Sequence, residues 1–155
     1  MHGLVDEVQQ HVLRIQVRLF ACRERLVAAT DDEALHDLRI ALRQLRSLLR
    51  PLCAIAACAD LQQRAAQLGR LSGPLRDLEV LQAYLRQQGL NSAAQLRQPR
   101  LEQGYAELLA SAPLTQLLRA LDDWPQQWRE AACDGQLCGL DKLIQKRLRK
   151  DRKRL

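Results

Sequence analysis

His36, Arg39, Arg43, Arg46 and Arg50 recur at steps of three, four, three and four within the stretch HDLRIALRQLRSLLR. On a helix these steps put all five side chains along one line. Like charges at i,i+3 and i,i+4 repel by about 0.2–0.5 kcal/mol per pair, so the line does nothing for an isolated helix. The chemistry it suits is anion binding. Arginine outnumbers lysine twenty to four in this chain, and a guanidinium presents paired N–H donors that match phosphate oxygens. From His36 to Arg50 the line spans about 21 Å at 1.5 Å per residue. One small phosphate would use one or two rungs, whereas a long polyanion would use them all. The plain alternative is a solvated helix face. Solvated faces mix signs, however, and the nearest acids, Glu33 and Asp37, stand off the line. His36 also has a simpler reading, as a partly buried hydrogen-bonding residue at a helix start.

Two further stripes share this period. His11, Arg14, Arg18 and Arg25 step three, four and seven; Lys142, Lys146, Arg149 and Lys153 step four, three and four. Spacing does not decide whether the three stripes converge, because that depends on packing. Residues 141–155 hold eight Lys/Arg and two Asp; taking these from the totals of 24 basic and 18 acidic residues leaves 16 of each sign over residues 1–140. The body is neutral, so its basic line comes from placement and not from bulk composition. The terminal run KRLRKDRKRL reads equally as a solvated tail or as a binding element.

Other chemistry is thin. The five cysteines include two C-x4-C pairs, Cys53/Cys58 and Cys133/Cys138. A helix sets i and i+5 about 140° apart, a poor chelate for zinc, so reduced thiols and no metal are expected. Phosphate-loop, dinucleotide, nucleophile-elbow and zinc-helix motifs are absent. The acid pairs Asp31-Asp32 and Asp122-Asp123 fall at expected helix boundaries, where capping accounts for them. No enzyme and no cofactor are expected.

Leu, Ala, Gln and Arg dominate, aromatics are 3%, and Gly and Pro are few, a composition that favours helix throughout. Residues 4–28 read as a first helix, with Val5, Val8, Val12, Ile15, Leu19, Cys22 and Leu26 as its buried seam. Thr30 to Glu33 match a capping box opening a second helix. Its seam is Leu35, Leu38, Leu42, Leu45, Leu49 and Leu52, and the cationic line is this heptad moved on by one residue, about 100° around the helix. The cations should therefore flank the buried face and line a groove. Pro51 should end this helix. A third helix over 57–71 is expected to stop at Ser72-Gly73, with Pro74 opening a fourth that runs to Gly89. Further helices are expected from Asn91-Ser92, from Pro113 up to a break at Pro125, and from Leu140 onward. The fold class is all-α, a single antiparallel helical bundle. No apolar run approaches a membrane span, and MHGLVDEVQQ lacks the character of a secretory signal, so the expected location is the cytoplasm.

The stretch EALHDLRIALRQLRSLLRPL resembles the signature of the CHAD family, the conserved histidine α-helical domain: a His followed by Arg three, seven and ten residues later. Here His36, Arg39, Arg43 and Arg46 meet it. A second signature of the family is similar to LSGPLRDLEVL, residues 71–81, with Arg76 and Asp77. The resemblance implies two related four-helix bundles around a basic channel that binds inorganic polyphosphate, in some members on polyphosphate granules. It implies polyphosphate contacts by His36, Arg39, Arg43, Arg46 and Arg76, with Asp77 orienting a neighbour. Arg50, Arg14, Arg18, Lys142, Lys146 and Arg149 extend the candidate set through the stripes described above. The family's usual second half is represented only by residues 140–155, which resemble its opening helix, so an incomplete domain is expected. The Glu-x-Glu-x-Lys signature of the triphosphatase sometimes fused to this domain is absent.

Competing readings are a nucleic-acid-binding helical protein and a bundle that docks an acidic protein. Against the first, Asn91 is the only asparagine and the tryptophans, Trp124 and Trp128, lie far along the chain from the line, leaving little for base reading or stacking. Half of the family's usual helices should leave apolar surface uncovered, so self-association or a partner covering that surface is expected. Sedimentation over a range of concentrations checks this, and a chain that stays monomeric throughout would contradict it.

Overall fold

The computed structural model describes residues 2–153. Its helices are α1 (His2–Ala28), α2 (Ala34–Leu49), α3 (Ala56–Gln87), α4 (Asn91–Gln95), α5 (Gln98–Leu109), α6 (Ala112–Cys133) and α7 (Leu140–Arg152), with a 3-10 turn at Arg50–Leu52 between α2 and α3. No strand occurs among the described residues. The fold is all-α.

Helices α1, α2, the first half of α3, and α6 close a four-helix ring in which each neighbour runs antiparallel. Two bonds tie its first and last members: the Trp128 indole N–H donates to the Val5 carbonyl (3.0 Å), and Gln16 Nε2 donates to Asp122 Oδ1 (2.8 Å). The expected seams are the core. Val8, Val12, Ile15, Leu19 and Cys22 of α1 and Leu35, Leu38, Leu42, Leu45, Leu49 and Leu52 are buried, while Val5 and Leu26 of the expected seam are partly buried against them. They meet Cys58, Leu61, Ala65 and Leu68 of α3 and Leu114, Leu117 and Leu121 of α6. Trp124 and Trp128 fill the end of the core, stacked at 5.0 Å.

Local expectations fail at Ser72–Pro74, at the capping box, and at Pro125 together with Asp122-Asp123, which lie inside α6 and at no helix end. Ser72-Gly73-Pro74 is no turn: α3 runs unbroken from Ala56 to Gln87 with Pro74 inside it. The proline removes one backbone donor, but the notch is packed against α2. Arg39 Nη1 donates to the Gly69 carbonyl (2.6 Å) and to Ser72 Oγ (2.8 Å), and Ser72 Oγ donates to the same carbonyl (3.2 Å). A Cβ on Gly73 would make ordinary contact with the guanidinium, at 3.8 Å. Pro125 likewise lies inside α6 and breaks nothing; the buried tryptophans on either side of it hold the helix to the core. The capping box does not form either. Glu33 makes no side-chain cap; instead Asp31 Oδ1 accepts the Glu33 N–H (2.9 Å), and Arg25 binds both Asp31 (2.6 Å) and Asp37 (2.8 Å). Arg25 thereby holds the Asp31 carboxyl well below the usual carboxylate range. This clasp closes the α1–α2 corner, where Ala29 takes a left-handed conformation (φ 51°) that an L-residue adopts at a cost. Pro51 does end α2, in the 3-10 turn.

Leu42 is 2% exposed and Arg43, its neighbour, faces water. Leu42→Ala should cost about 2–5 kcal/mol, and Leu42→Glu should unfold the bundle by burying a charge with no partner. Arg43→Glu should move stability by no more than about 0.5 kcal/mol. Thermal melts followed by circular dichroism check all three.

Candidate basic cleft

The hairpin of α2 and α3 sets the register of the site. Because Arg39 lies against Gly69 and Ser72, each turn toward the end of α2 moves one turn back along α3. Arg43 and Arg46 consequently stand beside Ala66 and Arg70. A cleft of about 470 Å³ opens there, lined by Arg39, Arg43, Arg46 and Arg70 together with Leu42, Ala66, Gly69 and Gly73. The wall from α3 is low because three of its residues there are Gly or Ala, and this gives the arginines room.

Arg39 and Arg46 are half-buried, and Arg43 and Arg70 are exposed. Among the described residues none of the four forms an ion pair with a carboxylate. Asp37, the acid nearest the line in sequence, is turned to the other flank of α2 and is taken by Arg25. The Nε of Arg46 is buried with no hydrogen-bond partner. The arrangement can therefore bind an anion through converging, unneutralised guanidiniums.

The other candidate residues are placed differently. His36 is half-buried in the first turn of α2, at the head of the line, and Arg50 is exposed in the 3-10 turn at its foot. Arg76 stands beyond Gly73, level with the start of α2, but its guanidinium binds Glu79 (3.0 Å), whose other oxygen accepts the Tyr105 hydroxyl. Arg76 thus belongs to a half-buried polar cluster and does not line the cleft. Burial and then the Glu79 hydrogen bond push the Tyr105 hydroxyl up. Asp77 is exposed on another face of α3, where it lines a separate groove. Arg14 and Arg18 are exposed on α1, and Arg18 donates to Gln44 (2.8 Å), roughly 120° around α2 from the line. The α1 stripe therefore does not converge on the cleft. Lys142, Lys146 and Arg149 are exposed on α7, which packs against the 3-10 turn beyond the foot of the line; they do not line the cleft either. Arg70 was not among the sequence candidates. Its signal was within reach, because it precedes Ser72-Gly73, but it was masked by the expected helix end at that point.

No group of three or more His, Cys, Asp or Glu gathers as metal ligands among the described residues. Cys22 and Cys58 are buried, while Cys53, Cys133 and Cys138 are exposed. Burial pushes the Cys58 thiol up to about 12 from an ordinary value near 9, the Trp124 indole partly opposing it; burial also raises Cys22. No helix of the described residues is long and apolar enough to cross a membrane.

The model of the CHAD domain family matches residues 11–155 of the chain. No curated protein and no solved structure matches it.

The thiols supply a test of the packing of the core. In the native protein three cysteines should react with a soluble thiol reagent near neutral pH, and all five in denaturant. Because the folded state keeps the Cys58 proton to higher pH than the unfolded chain, the contribution of this thiol to stability is complete below about 9 and is lost as pH rises toward about 12. Tyr105 and Cys22, also raised, act in the same sense. Denaturant titrations on both sides of pH 9 check this.

Proposed function

The chain belongs to the CHAD domain family, and on that footing we propose that it is a non-catalytic module that binds inorganic polyphosphate. The observation that carries the reading is the set of four arginines from two helices around one cleft, none paired with an acid among the described residues. A polymer with one negative charge per repeating unit meets such a line rung by rung. Arg43 and Arg46 make the central contacts. Arg39, with Nη1 committed to α3, offers its remaining N–H groups, and Arg70 closes the opposite side. His36 and Arg50 extend the track at its two ends, while Lys142, Lys146 and Arg149 serve a longer chain leaving at the foot. Association with polyphosphate granules follows from the same contacts. Arg14 and Arg18 fall outside this reading.

Nucleic acid is the second ligand class to compete. Sequence-tolerant binding of single strands uses exposed aromatic platforms, and the two tryptophans here are buried against each other in the core. An acidic protein partner is the third.

A competition assay with long polyphosphate, short oligophosphate, tRNA and duplex DNA separates these classes. Long polyphosphate should bind tightest, with affinity falling steadily as salt rises, because neutralising a polyanion releases its counterions. A charge-assisted hydrogen bond is worth about 1.5–3 kcal/mol, so Arg43→Glu should weaken binding by roughly tenfold or more while the protein stays folded. Tighter binding to duplex DNA, affinity indifferent to salt, or an Arg43→Glu variant that loses stability and keeps binding would each overturn the reading.

A further inference from the structure

Beyond Ser72, helix α3 leaves the bundle and has no fully buried apolar side chain. A helical stripe that begins at Leu71 nevertheless continues there through Leu75, Leu78 and Leu81, and Leu71 and Leu81 are 47% and 41% exposed. They form one wall of a groove of about 530 Å³, and α5 supplies the other. The walls close at Gly104, where a Cβ would run into the Leu75 side chain. Along the α5 wall Arg100 lies at one end and Glu107 at the other. They are seven residues apart, about 10 Å along the axis, too far to pair with each other. Neither forms an ion pair among the described residues.

We propose that this groove is the contact between two copies of the chain, related by a two-fold axis that crosses α5 between Gln103 and Gly104. Such an axis runs the two α5 helices antiparallel, so that Arg100 of one copy meets Glu107 of the other, and the same pair forms again on the far side. A two-fold interface must be self-complementary in this way, and one Arg and one Glu at equal distances from the point between Gln103 and Gly104 satisfy the requirement. Because Leu75 stands beside Gly104, the axis crosses α3 between Leu75 and Leu78, and each faces the other's counterpart in the second copy. The exposed stripe is then covered by an identical stripe. The basic cleft occupies a different face of α3 and stays open in the dimer, so this inference does not rest on the polyphosphate reading.

The test uses charge reversal and sedimentation of the full chain. The wild type should show a concentration-dependent monomer–dimer equilibrium. Arg100→Glu alone and Glu107→Arg alone should each raise the dissociation constant by roughly tenfold or more, since each sets like charges face to face twice. Mixing the two variants in equal amounts should restore dimers, because a chain with acids at both positions then meets a chain with arginines at both. The double variant should dimerise by itself as the wild type does. Circular dichroism confirms that every variant is folded, and polyphosphate affinity should be unchanged in all of them. A wild type that remains monomeric, single variants that dimerise normally, or a mixture that fails to recover would each overturn the proposal; a chain held by a different partner in this groove would appear as the first of these.

Discussion

Helix α2 must keep a seam of leucines out of water while holding a line of cations in it, with only about 100° of arc between the two. The remainder of the structure is arranged around that demand. The leucines are satisfied by α1, by the first half of α3 and by the buried tryptophans of α6. The cations cannot be satisfied by acids without losing their use, and the chain keeps acids away from them. Asp37 is the nearest in sequence, and it is drawn off to the opposite flank by Arg25. One clasp thus closes the α1–α2 corner and keeps the cationic line unneutralised.

Arg39 links the two halves of the demand. Its guanidinium reaches across to the Gly69 carbonyl and the Ser72 hydroxyl, so the first arginine of the line is also the peg that sets the register of α3. The peg sits one turn before Pro74. A proline in a helix interior costs about 3 kcal/mol or more, and the Arg39 hydrogen bonds hold the segment before it against α2. Gly69 and Gly73, with Ala66, keep the cleft wall in front of Arg43 and Arg46 low.

The cost of extending α3 past the bundle appears at its far end. There the helix has only α4 and α5 to pack against, held partly by Gln82, which donates to the Ala94 carbonyl and to Gln98. The leucine stripe on the remaining face is left in water, in a groove walled by charges of both signs. The charged cleft and the apolar groove thus occupy different faces of one long helix. No residue lines both of them.

Periodicity alone determined the helices that are amphipathic throughout. The seams of α1 and α2 read directly from the steps between Val8 and Leu52, because burial in a bundle selects one face every 3.6 residues and nothing else in those segments competes. The cationic line was legible for the same reason, and so was its position on the flank of the buried face. The motif resemblance located the family from residues 36–46 and 71–81. What spacing could not decide was anything that depended on a second element. Pro74 read as a helix start and Pro125 as a break because local propensity has no knowledge of the guanidinium or the tryptophans that hold those segments straight on. The misplaced end at Ser72 concealed Arg70, which joins the site only once α3 is continuous. Arg76 and the α1 arginines share the period of the ladder, yet Glu79 claims the first and the packing of α1 turns the others to the far flank of α2. Period fixes the face a residue occupies on its own helix; which faces meet is decided by the packing of one helix on another.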